Sequence, residues 1–161
     1  MGAVLYQHGS PVVKAAMQRT SARTIVSASH GGEVFVCDLR AGHPRRGTAN
    51  GSSSSSGGGG ASNRKKTGLV LKLNAHEKFS LDAFAVHEYA PVVATGSKSQ
   101  HVTIVDLRNG GKRIKHIRYH EGFLGQRLGP VTCLDFHRHE LLLAAGCRDV
   151  FVSTYSGKLA D

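Results

Sequence analysis

Three segments of this chain superimpose on one another, and no other feature restricts its fold as much. Ile25 to Arg40 reads IVSASHGGEVFVCDLR, Val93 to Arg108 reads VATGSKSQHVTIVDLR, and Leu143 to Lys158 reads LAAGCRDVFVSTYSGK. Gly96 and Gly146 stand 50 positions apart, as do His87 and His137, whereas Asp38 and Asp106 stand 68 apart. The longer step contains the tract TANGSSSSSGGGGAS at 48–62. Without that tract the two steps have similar length, and a period of about 40–50 residues with strand patterning marks radial β repeats.

Each unit carries the chemistry of strands. In the second, Leu81 to His87 alternates apolar and other residues as a half-buried strand does. Pro91 ends a turn, and Val92 to Ser97 is a run of apolar and small residues suited to burial on both faces, where backbones approach closely. Lys98-Ser99-Gln100 makes a tight turn, His101 to Leu107 forms the next strand, and Lys112 to Tyr119 the outermost. The third unit repeats this with Val131 to His137, Leu141 to Cys147, a turn at Arg148-Asp149, and Val150 to Tyr155. The first uses Val12 to Met17, Thr24 to Ser29 and Glu33 to Leu39, with its fourth strand displaced to Leu69–Leu73. Ala3 to Tyr6 reads as the last strand of a preceding unit.

The formal charge of +10 invites a nucleic-acid reading, so its placement decides. Arg45, Arg46, Arg64, Lys65 and Lys66 lie in or beside the low-complexity tract, which lacks large apolar side chains and is expected to be disordered. Lys112, Arg113, Lys115 and Arg118 share one short segment. Neither group is interleaved with the aromatics that base stacking needs, which favours a solvated loop and a charge-protected strand edge. Cys37, Cys133 and Cys147 have no paired spacing, and the chain shows neither a signal peptide nor an apolar run of membrane-spanning length. Reduced thiols in a soluble intracellular protein, without membrane insertion, are expected.

Several positions resemble WD-repeat propellers. These are the strand-end dipeptides Cys37-Asp38 and Val105-Asp106, the histidines His8 and His76 between units, and the turn acid Asp149, together with the glycines Gly96 and Gly146. Tryptophan is absent, Tyr155-Ser156 replaces the third dipeptide, and Gly31 and Ser99 stand where the resemblance puts a turn acid. The resemblance implies a buried network of acid, histidine and Ser/Thr, here left incomplete. The expected fold is therefore all-β: a partial WD-repeat β-propeller of about three four-stranded blades with a disordered Ser/Gly-rich insert. Residues 1–7 end a preceding blade, and 8–75 form the first blade with its insert at 41–68. Residues 76–119 form the second blade, and 120–161 a third, incomplete one. Three blades do not close a ring, so the chain is expected to be a fragment of a longer protein.

One stretch is more specific. Tyr119 to His137 reads YHEGFLGQRLGPVTCLDFH and places a Gly-rich apolar loop between the inter-blade histidine and the next strand. This stretch resembles the carboxy-terminal propeller of raptor, the regulatory-associated protein of TOR. The resemblance implies a non-enzymatic scaffold of TOR complex 1 in nutrient and amino-acid signalling. Its partners would be the TOR kinase and other subunits or regulators of that complex. Its location would be cytoplasmic, with peripheral attachment at the lysosome or vacuole surface through partners. His120, Glu121, Phe123, Leu124, Gln126 and Arg127 are the candidate partner-facing residues, since large apolar side chains on a loop suggest recognition. The alternatives are a WD-repeat adaptor of an unrelated assembly, in ubiquitin ligation or RNA processing, and a basic nucleic-acid-binding module. No catalytic, cofactor or metal site is expected: there is no nucleophile elbow, and the His and Cys spacing is not that of a structural zinc site.

Overall fold

The computed structural model describes residues 6–19, 23–39, 68–76, 81–108, 110–118 and 127–157, and among these it contains strands and turns but no α-helix. The first sheet holds β1 (Val12–Met17), β2 (Thr24–Ser29), β3 (Glu33–Asp38) and β4 (Leu69–Asn74). The second holds β5 (Leu81–Val86), β6 (Val92–Ser97), β7 (His101–Asp106) and β8 (Lys112–Ile117). The third holds β9 (Val131–Phe136), β10 (Leu142–Cys147) and β11 (Val152–Ser156). Every sheet is an antiparallel meander in which chain neighbours are sheet neighbours. The chain is thus a partial WD-like propeller of three blades. Ala3–Leu5 and the tract at 48–62 lie outside the described residues.

The first strand of each blade is innermost and sets its position against the next. β5 touches both β1 and β9. Its Leu81 and Phe84 join one core with Val26, Val34 and Val93, whereas its Ala83 and Ala85 join the other with Val131, Leu134 and Leu143. Alternation sends Phe84 to the face opposite Ala83 and Ala85, and the bulge at Asp82 brings Leu81 onto the face of Phe84. β6, Val-Val-Ala-Thr-Gly-Ser, is buried along its whole length, as its small and apolar composition anticipates. A bulge interrupts each inner strand at the same repeat position: Val13 in β1, Asp82 in β5 and Thr132 in β9 stand between residues paired to consecutive partners. Val70 in β4 and Ile114 in β8 occupy matching bulges in the outer strands. Such bulges bend a strand and raise its twist, which suits radial blades.

The turn between the second and third strands shows a departure from expectation. Gly32, Gln100 and Val150 hold the same repeat position and all have positive φ, at 85°, 65° and 65°. Glycine adopts this conformation freely, whereas a β-branched residue is strained there. Val150 therefore belongs to the turn, and β11 starts two residues later than its apolar pattern suggested. It is 94% exposed, so no burial compensates the strain. Replacing Val150 by Asn, which tolerates the left-handed region, is expected to stabilise the chain by about 1 kcal/mol, read as a raised urea midpoint.

Gly96 marks a close approach between the second and third blades. A Cβ there would lie 2.6 Å from Val131 Cγ1 and 3.0 Å from Ala83 Cβ. Gly96→Val is expected to cost about 1–3 kcal/mol through overpacking, whereas an unchanged midpoint would show that the two blades are not tightly apposed.

Candidate interaction surface

Two inter-blade histidines anchor the first two blades. His8 stacks on Phe35 with ring centroids 4.1 Å apart, and its Nε2 lies 2.8 Å from Ser27 Oγ. Glu33, the first residue of β3, brings Oε2 to 3.8 Å from His8 Nδ1 and accepts a bond from the Gly9 N–H at 3.1 Å. Lys72 Nζ stands 2.7 Å from the other Glu33 oxygen, and this bond holds the carboxyl below its ordinary range. Burial lowers the His8 pKa against the opposing pull of Glu33.

In the second blade His76 takes the same place. His101 Nδ1 lies 3.2 Å from the Ser99 carbonyl. His101 Nε2 lies 2.8 Å from His76 Nδ1, and His76 Nε2 lies 2.8 Å from Thr95 Oγ1, whose hydroxyl donates to the Thr103 carbonyl at 3.2 Å. Burial, followed by repulsion from His101, drives the His76 pKa down to about 4. Burial also lowers His101 and His116. The partner of each histidine therefore comes from the residue opening the third strand, Glu33 or His101, and not from the turn positions Gly31 and Ser99. The 68-residue step already aligned Glu33 with His101 and could have located this exchange.

The third blade is anchored differently. Ala145 occupies the position of Ser27 and Thr95, and Phe151 that of Glu33 and His101. Leu128 is fully buried and packs with Ala145 and Tyr155 in the core. Its N–H donates to the Arg118 carbonyl at 2.9 Å, and the Arg148 N–H donates to the Pro130 carbonyl at 2.8 Å. Asp149 lies against Gly129, with Oδ1 enclosed and lacking a partner among the described residues. Gly146 leaves room for Cys133, whose Sγ would stand 2.4 Å from a Cβ. Asp106 Oδ1 accepts the Arg108 N–H at 2.8 Å, and the Asp38 N–H donates to the Gly68 carbonyl at 2.7 Å.

Of the candidate partner-facing residues, His120, Glu121, Phe123, Leu124 and Gln126 lie outside the described residues. Arg127 is described and exposed, immediately before buried Leu128. The basic segment Lys112–Lys115 lies on β8, the exposed outer strand of the second blade. Among the described residues no group of His, Cys, Asp or Glu has the arrangement to hold a metal ion, and no helix is long and apolar enough to cross a membrane.

Sequence reasoning missed a second surface at the opposite ends of the strands. Gln18 Nε2 donates to the Ala90 carbonyl at 2.7 Å, and His87 Nε2 lies 3.1 Å from the Glu140 carbonyl. These are one tie made twice, each from the end of an inner strand to the next blade's loop. Beside it Arg19, Glu88 and Arg138 hold equivalent positions: Glu88 Oε2 lies 3.6 Å from Arg19 Nε and accepts a bond from Arg138 Nε at 3.0 Å. Tyr89 stacks on His139 at 5.5 Å. Exposed Tyr and Arg are the residue types that carry interface energy.

The depressed histidine pKa values make stability depend on pH. Between about pH 4 and 6.5 the unfolded chain takes up a proton that folded His76 refuses. The stabilisation is fully present above pH 6.5 and declines as pH falls toward 4, by up to about 3 kcal/mol for His76. Urea midpoints are expected to drop between pH 7.5 and 5, and to drop less in His76→Asn. Equal slopes in both proteins would remove His76 as the cause.

No protein-family model matches the chain. It is 45% identical over 82 residues, 51% of its length, to the protein raptor homolog of Dictyostelium discoideum. It is 44% identical over 86 residues, 53% of its length, to regulatory-associated protein of TOR 1 of Arabidopsis thaliana. Target of rapamycin complex 1 subunit mip1 of Schizosaccharomyces pombe is 34% identical over 152 residues, 93% of this chain. The matched region amounts to 5%, 6% and 9% of those three proteins, so the chain spans only a small part of their length.

Proposed function

We propose that this chain, a homologue of raptor and the other regulatory-associated proteins of TOR, is a non-catalytic propeller segment that works by binding protein within TOR complex 1. The observation that carries the reading is the 34% identity maintained over 93% of the chain to a protein named as a subunit of that complex. Three blades held by small inner-strand residues and neutral histidines agree with it, because such a body offers broad rims and loop ends for docking. The names of the homologues, regulatory-associated proteins and a complex subunit, support a regulatory rather than an enzymatic role. They do not favour the unrelated adaptor or the basic nucleic-acid binder.

The partners in this reading are the TOR kinase and other subunits or regulators of the complex, met in the cytoplasm and, through those partners, at the lysosome or vacuole surface. Docking is assigned to the loop that carries His120, Glu121, Phe123, Leu124, Gln126 and Arg127. Arg127 supports this assignment, being exposed one residue before the buried Leu128 that fixes the loop's end. Phe123 and Arg127 supply the aromatic and cationic side chains that interfaces concentrate.

Tagged chain recovered from cells is expected to bring the TOR kinase with it. Phe123→Ala combined with Arg127→Ala is expected to reduce that recovery several-fold while leaving the yield of tagged protein unchanged. Undiminished recovery would take the loop out of the interface, and failure of the unaltered chain to recover the kinase would count against the complex itself.

A further inference from the structure

We propose that the outer strand of the second blade docks an extended acidic peptide, whose carboxylates meet a row of Arg113, His116 and Arg118 on one face of β8. This surface is separate from the loop that carries Phe123 and Arg127 and does not rest on the reading given to that loop.

The register of the sheet builds the row. Arg113 pairs with Val105 and His116 with Thr103, while Ile114 is looped out between them. Without that bulge Arg113 and His116, three positions apart, would point to opposite faces. Arg118 continues the row, and its Nε donates to His116 Nε2 at 3.0 Å. That bond holds the guanidinium by one nitrogen and leaves its two terminal amino groups to a ligand. His116 Nδ1 lies 3.2 Å from Thr103 Oγ1, and the His116 ring lies 4.6 Å from that of His101. Arg113, His116 and Arg118 are all exposed.

No carboxylate among the described residues neutralises the row. Glu33 pairs with Lys72, Asp82 with Lys98, Glu88 with Arg19 and Arg138, and Asp106 with Arg108. Asp106 is also the register partner of Lys112, on the other face of the sheet. The histidines register the imbalance. Burial lowers the pKa of both His101 and His116, and repulsion from Arg118 and Arg113 lowers it further. A bound anion relieves that repulsion.

Spacing and composition select the occupant. Side chains on one face of a strand recur about every 6.6 Å, and an extended peptide presents alternate side chains at the same interval. Guanidinium groups bind carboxylates through paired hydrogen bonds. β7 and β8 carry no Phe, Tyr or Trp on which bases could stack, and looped-out Ile114, 57% exposed, offers an apolar contact instead. A peptide therefore fits better than a nucleic-acid strand. This sequence holds no such peptide of its own: outside the described residues no stretch has more than one Asp or Glu, and 40–67 has none. The second blade has a neighbour on each side, since β5 touches both β1 and β9, so the exposure of β8 does not come from the ends of the chain.

Fluorescence anisotropy with a short labelled peptide of alternating Glu and Thr tests this. The chain is expected to bind it, and to bind more weakly a peptide of the same composition with its Glu residues in one block. Arg113→Gln combined with Arg118→Gln is expected to weaken binding about tenfold. Arg108→Gln combined with Lys112→Gln removes as much charge from elsewhere on the blade and is expected to change binding less than about twofold. All four side chains are exposed, and circular dichroism is expected to show both variants folded. The comparison of the two peptides needs no variant. Absence of binding, equal binding of the two peptides, or equal losses in the two variants would overturn the proposal. Tighter binding of single-stranded oligouridylate than of the alternating peptide would overturn it too, by assigning the row to nucleic acid.

Discussion

Apposition of inner strands is the constraint on which the rest of this structure depends. β5 lies between β1 and β9 and sends Leu81 and Phe84 to one neighbour and Ala83 and Ala85 to the other. The large residues project toward the preceding blade and the small ones receive the following blade's large residues. Gly96, against Val131 and Ala83, is a tight point of that arrangement. Because the interior is close-packed, a methyl added at such a point must displace the neighbouring side chains. The repeat is therefore a rule about volume before it is a rule about chemistry.

Polar anchoring comes second and is variable. The first blade sets a histidine between a serine hydroxyl and a carboxylate, and the second sets one between a threonine hydroxyl and another histidine. In the third, Leu128, Ala145 and Tyr155 pack together in the equivalent region among the described residues. The two solutions differ in their response to acid: a neutral buried histidine loses its advantage when the unfolded chain becomes protonated, and a leucine does not.

These anchors also determine where function can reside. His8 and His76, which anchor the first two blades, are turned inward, and strand ends and outer edges are left exposed. One end carries Arg127 and Leu128, and the other the series Arg19, Glu88 and Arg138 with the Tyr89–His139 stack. The basic residues of β8 lie on an outer strand, where like charge protects an exposed edge from pairing with other chains. Homology to TOR complex 1 proteins agrees with a body whose chemistry is confined to contact surfaces.

Much of this was legible in the residues. Superimposing three segments and reading their flanks located the eleven strands among the described residues, β11 with a start two residues early, because side-chain alternation and small residues at close approaches are local signals with a fixed period. The positions of Gly96, Gly146, His8 and His76 followed from the same offsets. Other features depended on contacts distant in sequence. That Glu33 and His101 supply the histidine partners, that Val150 bends backward into a turn, and that Gln18 and His87 tie successive blades all require knowing which loop lies beside which. Sequence alone thus determined the repeating strands and their buried faces, since the hydrophobic pattern is written residue by residue. Tertiary structure alone decided the polar partners and the uncovered faces, since a hydrogen bond or an exposed surface exists only once separate blades have met.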